Sequence, residues 1–317
     1  MKKRMAKQSA RWRAALWLGG VTGLLPAMAG AQGIVAPLPA VSVGVDASDD
    51  SDGFTEFKPW TQYEAASGWG LKAGWQDYRM QGWSATGRSL LVTHRKQTPQ
   101  YQWVAQLGAN RTAGHSLAVG MLDAMYHLSD ATAMGVSLER DVVNSRRGLE
   151  EGLHYDAAML VLDHQFHPRL SLGVAAGASW FSNDNRRDLL RTRWTFTLDE
   201  ERGWYAYAKT RHYRNSNPYR PEYFSPERFN EASLGLLWRT ALNDSLVLSA
   251  NVDRGRQSID GRGHSAWSAG LFLSSPRRAA LQWKVGFETS QDHASSLRAS
   301  EDGYRYTSFV AQVRIPF

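Results

Sequence analysis

The chain has no cysteine among its 317 residues. That absence excludes disulfides, thiolate metal sites, cysteine nucleophiles and a lipoprotein anchor on an N-terminal cysteine. After residue 31, no stretch approaches the roughly 20 apolar residues that a spanning helix needs. A glycine-rich phosphate loop is missing, and so is any 34-residue helical repeat. Charge gives no case for nucleic acid. The formal +7 includes Lys2, Lys3, Arg4, Lys7, Arg11 and Arg13, all near the N-terminus, and without them about +1 remains.

What is present begins with an export signal. Those six basic residues precede a short apolar run, Ala14 to Leu25, which Pro26 ends. Ala29, Gly30 and Ala31 are the small residues expected before a cleavage point at Gln32. An apolar run of about 12 is too short to span a bilayer. Residues 1–31 therefore read as a signal peptide. Residues 32–67, with Pro37, Pro39 and the acidic Asp46, Asp49, Asp50 and Asp52, read as a periplasmic leader holding a short strand or a plug. Residues 68–317 read as one domain.

In that domain the hydrophobic pattern has period 2. Trp69, Leu71, Ala73 and Trp75 alternate with Gly70, Lys72, Gly74 and Gln76. The same holds for Leu190, Thr192, Trp194, Phe196 and Leu198 against Arg191, Arg193, Thr195 and Thr197, and for Leu281 to Phe287. Such segments run about 9 to 13 residues, the length of a tilted strand crossing a membrane, where a soluble sandwich favours about 5 to 6. With 13 Trp and 12 Tyr the chain is also rich in rings that favour the membrane–water interface. The expectation is an all-β, transmembrane, antiparallel up-and-down barrel in the outer membrane of a Gram-negative bacterium.

Connection lengths give a strand count and an orientation. Counted from Gly68 there are about fourteen strands, within a range of about 12 to 16. Links such as Lys96–Pro99, Leu128–Ala131 and Asp199–Gly203 are tight, whereas Asp141–Glu151, Arg214–Arg228, Arg254–Gly263 and Ser290–Gly303 are longer. Outer-membrane barrels have short periplasmic turns and longer external loops. A further strand at Phe54–Ala65 paired with Val41–Val45 raises the count to sixteen, and Pro59 argues against it.

Placing apolar residues outside puts three neighbouring strands to work on the lumen. They direct Arg191 and Arg193, then Tyr205, Tyr207, Lys209 and Arg211, then Glu231 and Arg239 inward. Aromatic faces pack on sugar rings, and charged groups bond sugar hydroxyls. Cations in a lumen favour an anionic polymer. The blander reading, which the need of interior charges for partners favours, is that these charges pair with one another and brace the wall. The external loop 214–228 carries Asn217, Tyr219, Arg220, Tyr223 and Phe224 and is restricted by Pro218, Pro221 and Pro226. It reads either as an ordered cap over the pore or as a stiff solvated loop.

Two short segments carry a family resemblance. Phe181-Ser182-Asn183-Asp184-Asn185-Arg186-Arg187 and Tyr223-Phe224-Ser225-Pro226-Glu227-Arg228-Phe229-Asn230-Glu231 resemble the barrel domains of bacterial exopolysaccharide export porins, of the poly-β-1,6-N-acetylglucosamine or cellulose type, and related repeat-less outer-membrane barrels. The resemblance covers under a quarter of the chain. It implies export or passage of a polysaccharide, no cofactor, and partnership with periplasmic or inner-membrane synthesis proteins. Those porins usually carry tetratricopeptide repeats before the barrel; here none is found, which implies a barrel-only relative. The last strand alternates Phe309, Ala311, Val313, Ile315 and Phe317 and is similar to the terminal signal that outer-membrane proteins present to the barrel assembly machinery. Outer-membrane lipid and lipopolysaccharide are the surrounding partners such a barrel implies.

Two rival classes stay open. One is a lipid-modifying enzyme: His212 to Asn217 is similar to the His-x-Ser-Asn element of outer-membrane lipid A deacylases. His212 and Ser216 are four apart, however, which on a strand means about 13 Å. The other is a binding or structural barrel within an envelope assembly. His164 and His167 lack further ligands for a metal site.

Overall fold

The computed structural model describes residues 38–276, 279–291 and 304–317. The expected signal peptide, residues 1–31, lies outside the described residues. Among the described residues, sixteen strands form one closed antiparallel barrel. In chain order they are β1 (Ala40–Asp50), β2 (Thr55–Glu64), β3 (Trp69–Met80), β4 (Trp83–Gln97), β5 (Tyr101–Thr112), β6 (His115–His127), β7 (Thr132–Val142) and β8 (His154–His167). The second half comprises β9 (Leu170–Phe181), β10 (Arg186–Asp199), β11 (Trp204–Asn215), β12 (Arg228–Asn243), β13 (Leu246–Ile259), β14 (Arg262–Ser274), β15 (Gln282–Ser290) and β16 (Tyr306–Pro316). One helix, α1 (Arg146–Glu151), sits between β7 and β8.

The strand count corrects the expectation of about fourteen. The fourteen strands read from Gly68 are β3 to β16. The two added strands are β1 and β2, built from residues assigned to a leader. They close the ring: β1 pairs with β16 from Ala40↔Pro316 to Asp50↔Tyr306, and with β2 along its other edge. Pro59 is accommodated one-sidedly. Its pairing with Val45 on β1 persists, while the β2–β3 ladder skips from Phe57↔Asp77 to Trp60↔Gly74. The missing proline N–H thus falls on the side where pairing lapses.

The barrel is inverted relative to a soluble protein. Leu107, Leu160 and Leu234 are 70%, 73% and 71% exposed on the outer face. Glu56, Gln76, Asn110, Glu231, Asp253 and Gln257 are buried on the inner one. This is the arrangement a hydrocarbon surround and a polar lumen require. Near the end that carries both termini, outward aromatics stack in pairs: Trp204 with Trp238 (5.4 Å), Phe166 with Trp194 (5.7 Å) and Tyr101 with Trp103 (5.2 Å). They form the girdle expected at an interface.

The connections define the two ends. On the terminal side the described links are short turns, such as residues 98–100 and 200–203. At the latter, Gly203 adopts φ 72°, and a Cβ there would collide with the Arg239 carbonyl. The opposite end holds the longest fully described connections, residues 143–153 and 216–227, and is the external one by the usual asymmetry. One link expected to be long is tight. β13 and β14 join through Asp260 and Gly261, both at positive φ (51° and 85°), as in a type I′ hairpin. Arg254, Arg256 and Ser258 occupy the outer face of β13 there, so no apolar alternation marked the strand's last turn.

Candidate functional site

The candidate site is the lumen wall of β10 to β14 together with the cap that closes the external mouth. On the wall, the inward positions are those deduced from the alternation, but the pairing turns them into a network. Tyr207 donates its hydroxyl to Asp253 (2.9 Å), Lys209 reaches the same carboxylate (3.0 Å), and Ser268 donates to it from β14 (2.6 Å). Glu231 accepts Arg211 (2.6 Å) and Gln257 (3.1 Å), with Lys209 at 3.9 Å. Arg193 lies 4.2 Å over the Tyr207 ring, and Arg211 lies 5.0 Å over Phe229. Arg191 stands opposite Arg211 in the ladder, Tyr205 opposite Leu237, and Arg239 lies near the periplasmic turn, its N–H bonded to Gly203.

The acceptor at the centre, Asp253, was missed as a site residue. Its inward position was legible from the alternation with Val252, but its neighbours on β11 and β14 follow only from register. With Asp253 and Glu231 in place, Lys209 and Arg211 are neutralised where they stand, which weakens the expectation of an anionic cargo. A second missed feature lies on β6 to β8. Asp141, Glu139, Asp123 and Asp163 descend the inner face, and among the described residues none forms an ion pair. Glu139 accepts the Tyr155 hydroxyl at 2.8 Å.

The cap has two lobes. Residues 216–227 fold into the mouth. Phe224 packs in a buried cluster with Leu189, Tyr213, Phe229 and Ile259, all inward residues of β10 to β13. Tyr223 stacks on Phe181 (4.4 Å) and donates to Asn183 (3.0 Å). Burial holds its phenol above the ordinary range, so it remains a donor at neutral pH. Asn217 donates its N–H to Asn185 (3.0 Å), which in turn donates to Asn215 (3.1 Å) and Tyr223 (3.0 Å). Arg220 is fixed through Ser225 (2.7 Å) and the Asn183 carbonyl. Tyr219, at φ 59°, is the exposed tip. Arg187 inserts beneath, 4.6 Å from the Tyr213 ring, and bonds Asn215 and the Phe224 carbonyl.

The second lobe is α1. Ser145 caps its N-terminus by accepting the Gly148 N–H (3.1 Å), and Gly152 ends it in the left-handed region at φ 67°. Leu149 is buried with Phe54 and Tyr78, and Met80 and Trp83 of the β3–β4 hairpin pack against that cluster. The lobes meet where the Ser145 hydroxyl donates to the Glu222 carbonyl. Asn144, next to it, donates to Glu56 on β2, and the Glu222 carboxylate accepts from Asn183 (3.4 Å), just past β9. In a closed ring of sixteen strands, β2 and β10 are eight apart, so this chain of bonds crosses the mouth. The loop is therefore an ordered cap and not a solvated excursion.

The other sequence candidates do not come together. His212 bonds Asn230 on β12 (2.9 Å), whereas Ser216 takes the Arg186 N–H at the start of β10 (2.9 Å); the two engage opposite neighbours. His164 bonds Thr132 (2.9 Å) and His167 accepts the Arg169 N–H (3.2 Å). Among the described residues no three potential ligands are grouped to hold a metal. Phe317 is 66% exposed at the closure seam, where its N–H bonds the Pro39 carbonyl (2.9 Å) and its ring stacks on Tyr63 (6.5 Å).

Comparisons agree with this architecture. No protein-family model matches the chain, and no curated protein matches it by sequence. Among solved structures, a bacterial polysaccharide outer membrane secretin superposes with a TM-score of 0.70 at 12% identity, covering 90% of this chain and all of that one. CdiB from Acinetobacter baumannii superposes with a TM-score of 0.50 at 11% identity, covering 88% of this chain and 60% of CdiB. At these identities the likeness is one of fold. With the apolar exterior, the aromatic girdle and the polar lumen, it defines the class: the chain is a sixteen-stranded β-barrel of a Gram-negative outer membrane.

Proposed function

We propose that the barrel is a passage for a polysaccharide of low net charge, closed at its external mouth by the two-lobed cap. The observation that carries this reading is the wall of β10 to β14. Tyr205 and Tyr207 face the lumen, Tyr205 half-buried and Tyr207 buried beneath the Arg193 guanidinium, and Lys209 and Arg211 on the same strand are held by Asp253 and Glu231. Such a wall offers the Tyr205 ring for stacking and fixed polar groups for hydroxyls, with Lys209 and Arg211 neutralised in place. Sixteen strands also give the width at which barrels leave an aqueous channel. The solved barrel with a TM-score of 0.70 is a polysaccharide secretin, which supports the same cargo class. In this reading, periplasmic or inner-membrane synthesis proteins deliver the polymer, and Phe317 presents the chain to the assembly machinery.

Liposome swelling tests the proposal. Proteoliposomes of the barrel with the cap segment 217–225 replaced by a short glycine–serine linker are expected to admit neutral oligosaccharides that empty liposomes exclude. Exclusion of all oligosaccharides by a correctly folded, cap-replaced barrel would overturn it.

A further inference from the structure

The lipid-facing surface carries arginines that no described side chain engages. Arg88 and Arg111 are direct partners across the β4–β5 ladder, both on the outer face and both exposed. Arg254 and Arg256 lie two apart on the outer face of β13 and are exposed as well. Their depth is marked by neighbours. Trp75 pairs with Arg88, and Trp267 pairs with Arg254. Towards the periplasm the same faces continue as Leu90, Val92 and Leu107 on one side and Leu236, Val252 and Leu271 on the other, all exposed, while Leu234 stands directly opposite Arg254. Both clusters therefore sit at the upper edge of the apolar band, beside a tryptophan, on the external side.

Three other outward arginines at this rim have their own carboxylates. Arg79 pairs with Asp77 (2.8 Å), Arg186 with Asp188 (2.7 Å) and Arg140 with Asp156 (2.9 Å). Among the described residues no acid or hydrogen-bonding side chain engages Arg88, Arg111, Arg254 or Arg256. An arginine at mid-bilayer on a barrel costs about 2–4 kcal/mol, and near the interface about 0–1. At the interface the guanidinium meets headgroup phosphate, which its planar fork binds in a bidentate manner.

We propose that these two clusters are binding sites for the phosphate groups of lipopolysaccharide in the external leaflet. Two adjacent guanidinium groups match a phosphorylated sugar headgroup, while the apolar face beneath takes its acyl chains. The sites lie outside the lumen, so the proposal stands independently of the passage.

The test uses the detergent-purified full barrel, with binding of lipopolysaccharide followed by native mass spectrometry and by the shift in thermal midpoint. Wild type is expected to retain lipopolysaccharide and to gain stability from it, with little response to dephosphorylated lipopolysaccharide, inorganic phosphate or phosphatidylglycerol. The Arg88→Gln/Arg111→Gln and Arg254→Gln/Arg256→Gln variants are each expected to weaken binding at their own site roughly thirtyfold, the weight two arginines carry at an anionic lipid surface. The matching Arg→Lys variants, which keep charge, control for folding and are expected to recover part of the binding. Unchanged binding in the combined Gln variant would overturn the proposal. So would an equal response to inorganic phosphate, or to phosphatidylglycerol, which would make the sites general anion or phospholipid sites.

Discussion

Ser145 donates its hydroxyl to the backbone carbonyl of Glu222, and that bond is the middle link of a bridge across the external mouth. On one side Asn144 ties the bridge to Glu56 of β2; on the other, the Glu222 side chain ties it to Asn183 beyond β9. Breaking the middle link frees two lobes that are each anchored only to their own wall. Ser145→Ala also removes the N-cap of α1, which contributes about 1 kcal/mol. Planar-bilayer recordings of Ser145→Ala are expected to show more frequent and longer full openings than wild type.

Asp253 holds Tyr207, Lys209 and Ser268 together, and it is nearly fully buried. Asp253→Asn is expected to destabilise the barrel by about 1 to 3 kcal/mol. That is below the loss typical of a fully buried pair, because the Lys209 side chain is 32% exposed and solvent screens it. Heat-modifiability on gels at graded temperature reads the stability. Reversal potentials in a salt gradient should shift towards anions, since Lys209 loses its compensation.

The carboxylates on β6 to β8 make the opposite prediction. Asp123, Glu139 and Asp163 face the lumen without ion pairs among the described residues. Replacing all three by their amides should reduce cation preference in the same salt-gradient measurement and leave the thermal midpoint nearly unchanged. Substituting outward residues at the same height should alter neither.

Phe317 lies at the seam where β1 meets β16, and its N–H is bonded to Pro39. Its removal deletes one backbone bond and one ring contact, too little to unfold a closed barrel. Yet if it is the assembly signal, the folded fraction in the outer membrane should fall severalfold while refolding in detergent proceeds normally. An equal fall in both would make Phe317 a stability residue only.

The barrel was legible in the sequence because alternation depends only on neighbouring residues. Leu190 to Leu198 against Arg191 to Thr197 gave the strand and its two faces without knowledge of its partners. Features set by partners were not legible. Asp253 became the hub of the wall through its register with Ser268 on β14 and the reach of Tyr207 and Lys209 across β12. Pro59 argued against a strand, and only the one-sided gap in the β2–β3 ladder shows how it is tolerated. The hairpin at Asp260-Gly261 carried a local turn signal, but the arginines on the outer face of β13 obscured the strand leading to it. The prolines of the cap left an ordered cap and a stiff solvated loop equally open; its docking through Phe224 onto Leu189 and Phe229 is a tertiary matter.

The most direct test is single-channel recording of the Ser145→Ala barrel with neutral oligosaccharides of increasing length added on the periplasmic side. A polysaccharide passage lined by the β10 to β14 wall predicts transient block whose residence time grows with chain length and shortens when Tyr205, the half-buried ring of that wall, is replaced by alanine. Openings that oligosaccharides of every length leave unblocked, or block that is indifferent to that tyrosine, would contradict it.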